Sequence, residues 1–236
     1  MECKQLLLFR NGLHSHTKEK NTKPFSQSDL HLSWILIVFM IVTGGCKQKS
    51  GLPFYNTADL TPAWNNDKAG EHHIPSFSFV DQNNEIVSEK TFANKIYIAN
   101  FFFTSCGSIC PRMTSNLLKV QKAFPANDHI GFISHTVTPW IDSVSRLKKY
   151  AKRFELDNRW HLVTGDKNTI YGLARRSYFA EEETGFSRDS TEFLHTEHIL
   201  LVDRNKQIRG VYNGTLELEI DRMIDDIQLL LKEYNY

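Results

Sequence analysis

Short, almost continuous apolar runs along the chain predict the central strands of a sheet. KIYIANFFF (95–103), HIGFISHTV (129–137) and WHLVTG (160–165) contain few polar residues. Apolar runs of this length are typical of strands that are covered on both faces. Two shorter strands are expected before them, near residues 76–80 and 85–87. The pattern therefore predicts a sheet whose central strands are buried.

Between these runs, apolar residues recur at helical spacing. Pro111 suits the first turn of the first predicted helix, and Asp142 is expected to be the N-cap of the second. The apolar stripes of three helices are Leu117, Val120 and Phe124, then Val144, Leu147, Ala151 and Phe154, then Ile170, Leu173 and Ala174. The alternation of strand and helix favours parallel strands joined by right-handed crossovers.

The end of the chain follows a different pattern. HILLVD (198–203) and QIRGVYNG (207–214) are joined by a tight polar turn and predict an antiparallel hairpin, which a closing amphipathic helix follows. The polar, acidic residues 181–193 are expected to be an insertion before the hairpin. Two βα units followed by a ββα unit form the thioredoxin arrangement. We therefore predict an α/β, thioredoxin-like fold with a central mixed β-sheet flanked by α-helices.

The N-terminus carries an apolar segment of its own. LSWILIVFMIV (32–42) is short for a membrane span and follows several basic residues, as the core of a signal peptide does. Small residues then lead to Cys46, which resembles the lipobox of bacterial lipoproteins, where the cysteine is lipidated. Residues 1–45 are thus predicted to be a lipoprotein signal peptide. The alternative is an uncleaved anchor helix.

Both interpretations place the remainder of the chain in the cell envelope, anchored to the membrane and facing the periplasm or exterior of a bacterium. The polar residues 46–71 are predicted to be a tether, and residues 72–236 the domain.

Composition excludes one class of partner. The chain has 236 residues, of which 41% are hydrophobic, enough for one sizeable core. From Cys46 onward, 23 Lys or Arg residues stand against 24 Asp or Glu residues, a balance of −1. Nothing in this balance directs the chain to nucleic acid.

Two cysteines remain in the predicted domain, Cys106 and Cys110, within FFFTSCGSICPRM (101–113). A disulfide that closes so small a loop contributes little stability, so a purely structural bridge is disfavoured. With a helix expected to begin at Pro111, Cys110 is predicted to be its N-cap, where the helix dipole favours thiolate at both sulfurs. Thiolates are nucleophiles and soft metal ligands, and the spacing alone does not decide between these roles.

A histidine completes the candidate site. His195 precedes the first hairpin strand, whose entrance faces the cysteine loop in the predicted topology. Two thiolates and one imidazole suit copper, because sulfur selects Cu(I) and the imidazole keeps Cu(II) tolerable. His198 is expected on the opposite face of the strand. Thioredoxins place a cis-proline at this entrance, whereas this chain has no proline after Pro139.

FTSCGSICPRM, TVTPWIDSVSRLKKYA, WHLVTGDKNTIYGLARRSYF and HTEHILLVD resemble successive signatures of the SCO/SenC family, over roughly residues 72–234. The resemblance implies a membrane-tethered copper chaperone that binds Cu(I) or Cu(II) through Cys106, Cys110 and His195. It further implies delivery of copper, or of reducing equivalents, to the binuclear copper centre of cytochrome c oxidase subunit II or to another copper protein. The family usually has proline directly after the first cysteine, where this chain has Gly107.

Two other functions stay open. In a thiol–disulfide oxidoreductase, Cys106 would attack a partner's disulfide and Cys110 would resolve the mixed disulfide. In a redox sensor, Cys106 would pass through sulfenic acid. His195 separates these possibilities, because a copper chaperone needs it as a ligand whereas a simple dithiol enzyme does not.

Overall fold

A computed structural model describes residues 51–64, 71–180 and 196–236. The chain divides into two units, Met1–Gln48 and Lys49–Tyr236, and all of the described residues belong to the second. Its elements are, in chain order, β1 (Phe54–Tyr55), β2 (Pro62–Ala63), β3 (Ser78–Asp81), β4 (Ile86–Ser88), β5 (Ile96–Phe102), α1 (Ile109–Ala123), β6 (Ile130–Thr136), α2 (Val144–Phe154), β7 (Trp160–Thr164), α3 (Lys167–Arg176), β8 (His198–Val202), β9 (Ile208–Asn213) and α4 (Glu217–Glu233).

Seven strands form one mixed sheet in the order β4-β3-β7-β6-β5-β8-β9. The pairs β5–β6 and β6–β7 are parallel, and helices connect their strands in sequence. The pairs β3–β4, β3–β7, β5–β8 and β8–β9 are antiparallel. The predicted strand–helix alternation, the closing hairpin and the thioredoxin-like fold are therefore confirmed.

The central strand β5 is buried along its whole length and divides the core between the two faces of the sheet. Ile96, Ile98 and Phe102 pack into the cluster that includes residues of α1 and α4. Tyr97 and Ala99 alternate with them and pack into the cluster that includes residues of α3. This alternation explains why the β5 sequence is apolar throughout: both of its faces are core.

Two predicted helix caps are wrong. Helix α1 begins at Ile109 with Ser108 at its N-cap, so Cys110 lies inside the first turn. The N-cap of α2 is Ser143, whose side chain accepts a hydrogen bond from the backbone N–H of Arg146 at 3.4 Å. Asp142, predicted for that position, is instead fully buried. Its carboxylate accepts hydrogen bonds from the nearby Thr136 and Thr138 and from Thr104, which is 38 positions away and which a local capping pattern cannot reveal.

Part of the segment predicted as a tether packs on the domain. Strands β1 and β2 pair with each other, and β1 lies against β9. The backbone carbonyls of Leu52 and Pro53 accept hydrogen bonds from Arg209 at 3.0 and 3.3 Å. Residues 52–55 are thereby fixed to the sheet.

Several predicted features lie outside the described residues: the signal peptide at residues 1–45, Cys46, the insertion at 181–193 and His195. Within the described ranges, no helix combines the length and hydropathy that a membrane crossing requires.

Candidate functional site

The two cysteines lie together where the central strand meets the first helix. Strand β5 ends at Phe102, and Cys106 is in the loop that joins it to α1. Cys110 is in the first turn of α1, and its backbone N–H donates to the Cys106 sulfur at 3.3 Å. Both thiols are free. The structure therefore brings the predicted pair into contact without a bond between the sulfurs.

The environment of Cys106 favours its thiolate. Partial burial raises the pKa of this thiol, but hydrogen bonds from the backbone N–H groups of Cys110, Ser108 and Ile109 and from the Cys110 thiol lower it by more. The net pKa lies below its ordinary value because the helix N-terminus presents these donors to the sulfur. Cys106 is half-buried, whereas Cys110 is buried, so exposure and the lowered pKa both favour reaction at Cys106.

Cys110 differs from its neighbour. It is 6% exposed, and this burial raises the pKa of its thiol to about 12, with the hydrogen bond to Cys106 and the negative charge on that sulfur adding to the shift. The prediction of thiolate character at both sulfurs is therefore wrong for Cys110, because desolvation outweighs the effect of the helix end. The pair consists of one thiolate-prone sulfur and one sulfur that holds its proton.

An apolar cavity of about 410 Å³ adjoins both sulfurs. Its lining consists of Phe101, Phe102, Phe103, Cys106, Ser108, Ile109, Cys110, Val137, Thr196 and Glu197. Thr196 and Glu197 come directly after His195 in the chain. The predicted approach of the first hairpin strand to the cysteine loop is therefore correct for the residues that are described there.

The start of the hairpin strand is held firmly at this cavity. The Glu197 carboxylate accepts hydrogen bonds from the Asn213 amide at 2.9 Å and from the Thr215 hydroxyl at 3.2 Å. The Glu197 carbonyl accepts from the backbone N–H of Gly214 at 2.8 Å. These contacts fix the backbone at Glu197, directly after Thr196 at the cavity.

Asp142 fixes the other side of the cysteine loop. Its carboxylate accepts a hydrogen bond from the Thr104 backbone N–H at 3.1 Å and another from the Thr104 hydroxyl. The hydroxyls of Thr136 and Thr138 also donate to it, at 2.5 and 3.1 Å. The local sequence pattern did not indicate this role; the threonines at the end of the β6 run are the available signal, because buried hydroxyls need acceptors.

Within the described ranges, no histidine lines the cavity beside the two cysteines. His135 is fully buried among aromatic rings, His161 contacts Asp81 through Nδ1 at 3.0 Å, and His198 opens β8. Among residues 51–64, 71–180 and 196–236, no group of three His, Cys, Asp or Glu side chains is arranged to hold a metal ion. The described part of the chain thus brings two free sulfurs together, a donor set that would suit Cu(I).

The sequence of the chain is similar to those of known proteins. A family model described as SCO1/SenC matches residues 65–232. The SCO1 protein homolog of Bacillus subtilis (strain 168) is 29% identical over 160 residues, which cover 66% of this chain and 82% of the relative.

Solved structures agree. A SCO1/SenC family lipoprotein from Bacillus anthracis str. Ames aligns with a TM-score of 0.58 and 24% identity, covering 70% of this chain and 98% of the other. BsSco is a member of the Sco family of cytochrome c oxidase assembly proteins in which a disulfide switch was identified. It aligns with a TM-score of 0.57 and 27% identity, covering 67% of this chain and 93% of the other. Copper-bound ScoI of Bradyrhizobium japonicum aligns with a TM-score of 0.54 and 23% identity over 66% and 98%.

The matched residues include the cysteine loop, the sheet and the closing helix, so the match covers both the fold and the two described site residues. The resemblance predicted from the sequence is therefore confirmed, and the chain belongs to the SCO1/SenC family.

Proposed function

We propose that this protein is a copper-binding assembly factor that carries one copper ion as cargo on Cys106, Cys110 and His195. The observation that carries the proposal is the placement of two free, adjacent sulfurs in a cavity that Thr196 also lines. Copper bound to the ScoI relative and the oxidase-assembly description of BsSco support it.

The different acidities of the two sulfurs define how the ion is taken up. Cys106 offers a soft ligand whose pKa is lowered by backbone N–H groups, so it is expected to bind Cu(I) before Cys110 does. Cys110 becomes a ligand when it gives up its proton, which metal binding releases to solvent. An imidazole from His195 would then complete a three-coordinate site that also accepts Cu(II).

An anaerobic titration tests the copper site. Reduced full-length protein is titrated with Cu(I) in competition with a chelator, and Cu(II) binding is followed by the absorption of the sulfur-to-copper transition. Cys106→Ser and Cys110→Ser are each expected to abolish tight binding, because one thiolate and one imidazole do not retain copper against competing thiols, whereas a pair of thiolates suits a linear Cu(I) site. His195→Ala is expected to retain part of the Cu(I) affinity and to lose the Cu(II) absorption.

His198→Ala is the matched control, since this histidine lies three residues farther along the same hairpin segment. It is expected to leave both copper signals unchanged. Unchanged affinity in both serine variants, or loss in His198→Ala alone, would overturn the assignment of the three ligands.

We propose cytochrome c oxidase subunit II, or another copper protein with paired cysteines, as the recipient. Cu(I) can move between two pairs of thiolates through intermediates in which the sulfurs of both proteins share the ion. Mixing the copper-loaded protein with the purified copper-binding domain of subunit II should transfer the ion without release to a chelator. Release to the chelator before transfer would contradict delivery.

The second candidate function is reduction of a partner's disulfide. The acidity difference favours it, because a low-pKa attacking thiol and a protonated resolving thiol are suited to the two steps. The Cys106 thiolate attacks the partner's disulfide and releases one partner thiolate. Cys110 then loses its proton, attacks the mixed disulfide at Cys106 and releases the second thiolate, which leaves the partner reduced and this pair oxidised.

His195→Ala separates the two functions. Disulfide reduction is expected to survive this change, whereas the Cu(II) signal of the chaperone is expected to disappear. A reduction rate that falls as steeply as the copper signal would argue that His195 serves the thiol chemistry itself.

We further propose that the chain is a lipoprotein anchored through Cys46, with residues 1–45 removed. The small residues that precede this cysteine support the proposal. Mass spectrometry of the membrane fraction should find an acylated Cys46 as the first residue. An intact N-terminus would favour the anchor-helix alternative.

A further inference from the structure

Helix α2 concentrates positive charge beside the cysteine loop. Its residues Val144–Phe154 include five cations and no carboxylate. Arg146, Lys149 and Arg153 recur at helical spacing and line a cavity of about 210 Å³ together with Thr104 and Tyr150. We call these three cations the basic face. The predicted domain is close to neutral overall, so this charge is local.

The basic face is largely without counter-charges of its own. Among the described residues, one cation of this face forms an ion pair: Arg146 Nε lies 3.9 Å from Asp142 Oδ1. That pair is long and involves one of the three cations, so within the described ranges Lys149 and Arg153 have no carboxylate in ion-pair contact. Arg153 lies over the ring of its neighbour Phe154, at 5.3 Å from the centroid.

The cavity of the basic face is connected to both cysteines. The Nε of Arg146 donates to the Thr104 hydroxyl at 3.3 Å, and Thr104 is two residues before Cys106. On the other side, the Tyr150 hydroxyl is hydrogen-bonded to Thr114 at 2.9 Å, and the Thr114 hydroxyl donates to the Cys110 carbonyl at 2.9 Å. A molecule bound in this cavity therefore contacts residues that are hydrogen-bonded to the cysteine loop and to the first turn of α1.

We propose that the basic face is the docking surface for an acidic segment of the protein that exchanges copper or thiols with Cys106. The inference rests on the proposed function for the chemistry of that partner. Carboxylates match the guanidinium and ammonium groups, and a concave cavity suits a side chain. The cavity includes Thr104 of the cysteine loop and is concave, which suits an inserted carboxylate side chain of a protein better than the flat surface of an anionic lipid bilayer.

A peptide pair tests the docking. Both peptides carry two serines in place of the partner cysteines and a fluorescent label; one is flanked by Asp and Glu, the other by Asn and Gln. Binding to the full chain is measured by fluorescence anisotropy, without copper. The acidic peptide is expected to bind about tenfold or more tightly than the amide peptide, and to lose this advantage at about 1 M salt.

The helix supplies a matched control. Lys149→Glu/Arg153→Glu changes two cations of the basic face, whereas Lys148→Glu/Lys152→Glu changes two exposed cations of the same helix that do not line the cavity. Both variants have the same spacing and the same change of net charge. The first is expected to abolish the preference for the acidic peptide, and the second to keep most of it.

Equal losses in the two variants, or none in either, would overturn the proposal. Sedimentation with phosphatidylserine vesicles is the second assay. If Lys149→Glu/Arg153→Glu reduces vesicle binding more than peptide binding, the basic face binds the membrane and the proposal is overturned. Because the peptides contain no thiol and the assay no copper, failure of the copper site in the titration above would leave this result intact.

Discussion

The two ends of the sheet are built in opposite ways. At the cysteine end, the loop after β5 carries a half-buried, thiolate-prone sulfur beside an apolar cavity. At the other end, which we call the arginine end, the guanidinium of Arg209 is 3% exposed and is fully occupied. It contacts Asp203, Glu233, Tyr234, the carbonyls of Leu52 and Pro53, and the ring of Phe54.

The pairing of the strands separates these two ends. Strand β5 runs from Ile96 toward the cysteines, and Tyr97 pairs with Val202, which in turn pairs with Ile208. Arg209 therefore lies near the beginning of β5, whereas Cys106 follows its end. The Arg209 guanidinium is saturated with hydrogen bonds and ion pairs where the chain is anchored, whereas both thiols are free beside the cavity where the chemistry is proposed.

The largest effect on stability is expected at the arginine end. Arg209→Met should lower the free energy of unfolding by about 3–5 kcal/mol, because it leaves Asp203 and Glu233 without their shared partner. Denaturant titration measures the loss. The rate at which Cys106 reacts with a thiol reagent in the folded protein should not change.

Arg204→Met is the control for that change, since the Arg204 guanidinium is exposed and lies over the Tyr234 ring at 4.1 Å. Its loss should cost less than about 1 kcal/mol. A changed rate of Cys106 labelling in folded Arg209→Met would show that the two ends are coupled, and would contradict their independence.

The dependence of stability on pH tests the cysteine end at His135, which pairs with Phe101. Among the described residues, neither ring nitrogen has a hydrogen-bond partner, and burial lowers the pKa of this imidazole to about 3. The unfolded state, with a pKa near 6.5, takes up a proton first as the pH falls. Stability from the neutral ring is thus present above about pH 6.5 and is lost below it, by up to about 1.4 kcal/mol per pH unit.

The comparison of His135→Leu with the wild type isolates this contribution, since carboxylates contribute to acid unfolding in both. Between pH 7 and pH 5, the wild type should lose about 2 kcal/mol more than the variant. His129→Gln, at an exposed histidine, should retain the wild-type slope. A wild-type slope in His135→Leu would mean that the ring is paired in solution.

Asp142→Asn is expected to have a smaller effect, of about 1–2 kcal/mol. The amide keeps one acceptor oxygen but places donors against the hydroxyls of Thr136 and Thr138. Because Thr104 loses part of its anchor, the rate of thiol labelling at Cys106 should also change, which distinguishes this variant from Arg209→Met. Denaturant titration and labelling kinetics measure the two effects.

The smallest effect concerns Gly107. A Cβ added there meets no atom within 4 Å. Gly107→Ala should therefore stabilise the fold by about 0.4–1 kcal/mol, through reduced freedom of the unfolded chain. Thermal unfolding detects the gain; a lower melting temperature would show that the loop needs glycine.

The sequence predicted the sheet and its helices because their apolar patterns are local and strong. The continuous run of β5 and the stripe of α1 needed no knowledge of distant contacts. The roles of Asp142 and the acidity of Cys110 were predicted wrongly, because both depend on burial and on residues far away in the chain. Asp142 meets Thr104 across 38 positions, a contact that no capping pattern encodes.

The candidate site was predictable in part for the same reason. The spacing of Cys106 and Cys110 and the strand–helix order placed both sulfurs at one end of β5, as the structure shows. Glu197 had no signal, because its importance comes from contacts with Asn213 and Thr215 on the neighbouring strand and turn. The role of His195 as a ligand stays a prediction.

The contacts of Leu52 and Pro53 with Arg209 also determine where mechanical load enters the domain. Tension that reaches the domain along the chain from preceding residues acts on the arginine end, through a buried ion-pair network, and not on the cysteine loop. Because Arg209 lies near the beginning of β5 and Cys106 follows its end, a pull on Leu52 and Pro53 is borne at the end of the sheet opposite the cysteine loop.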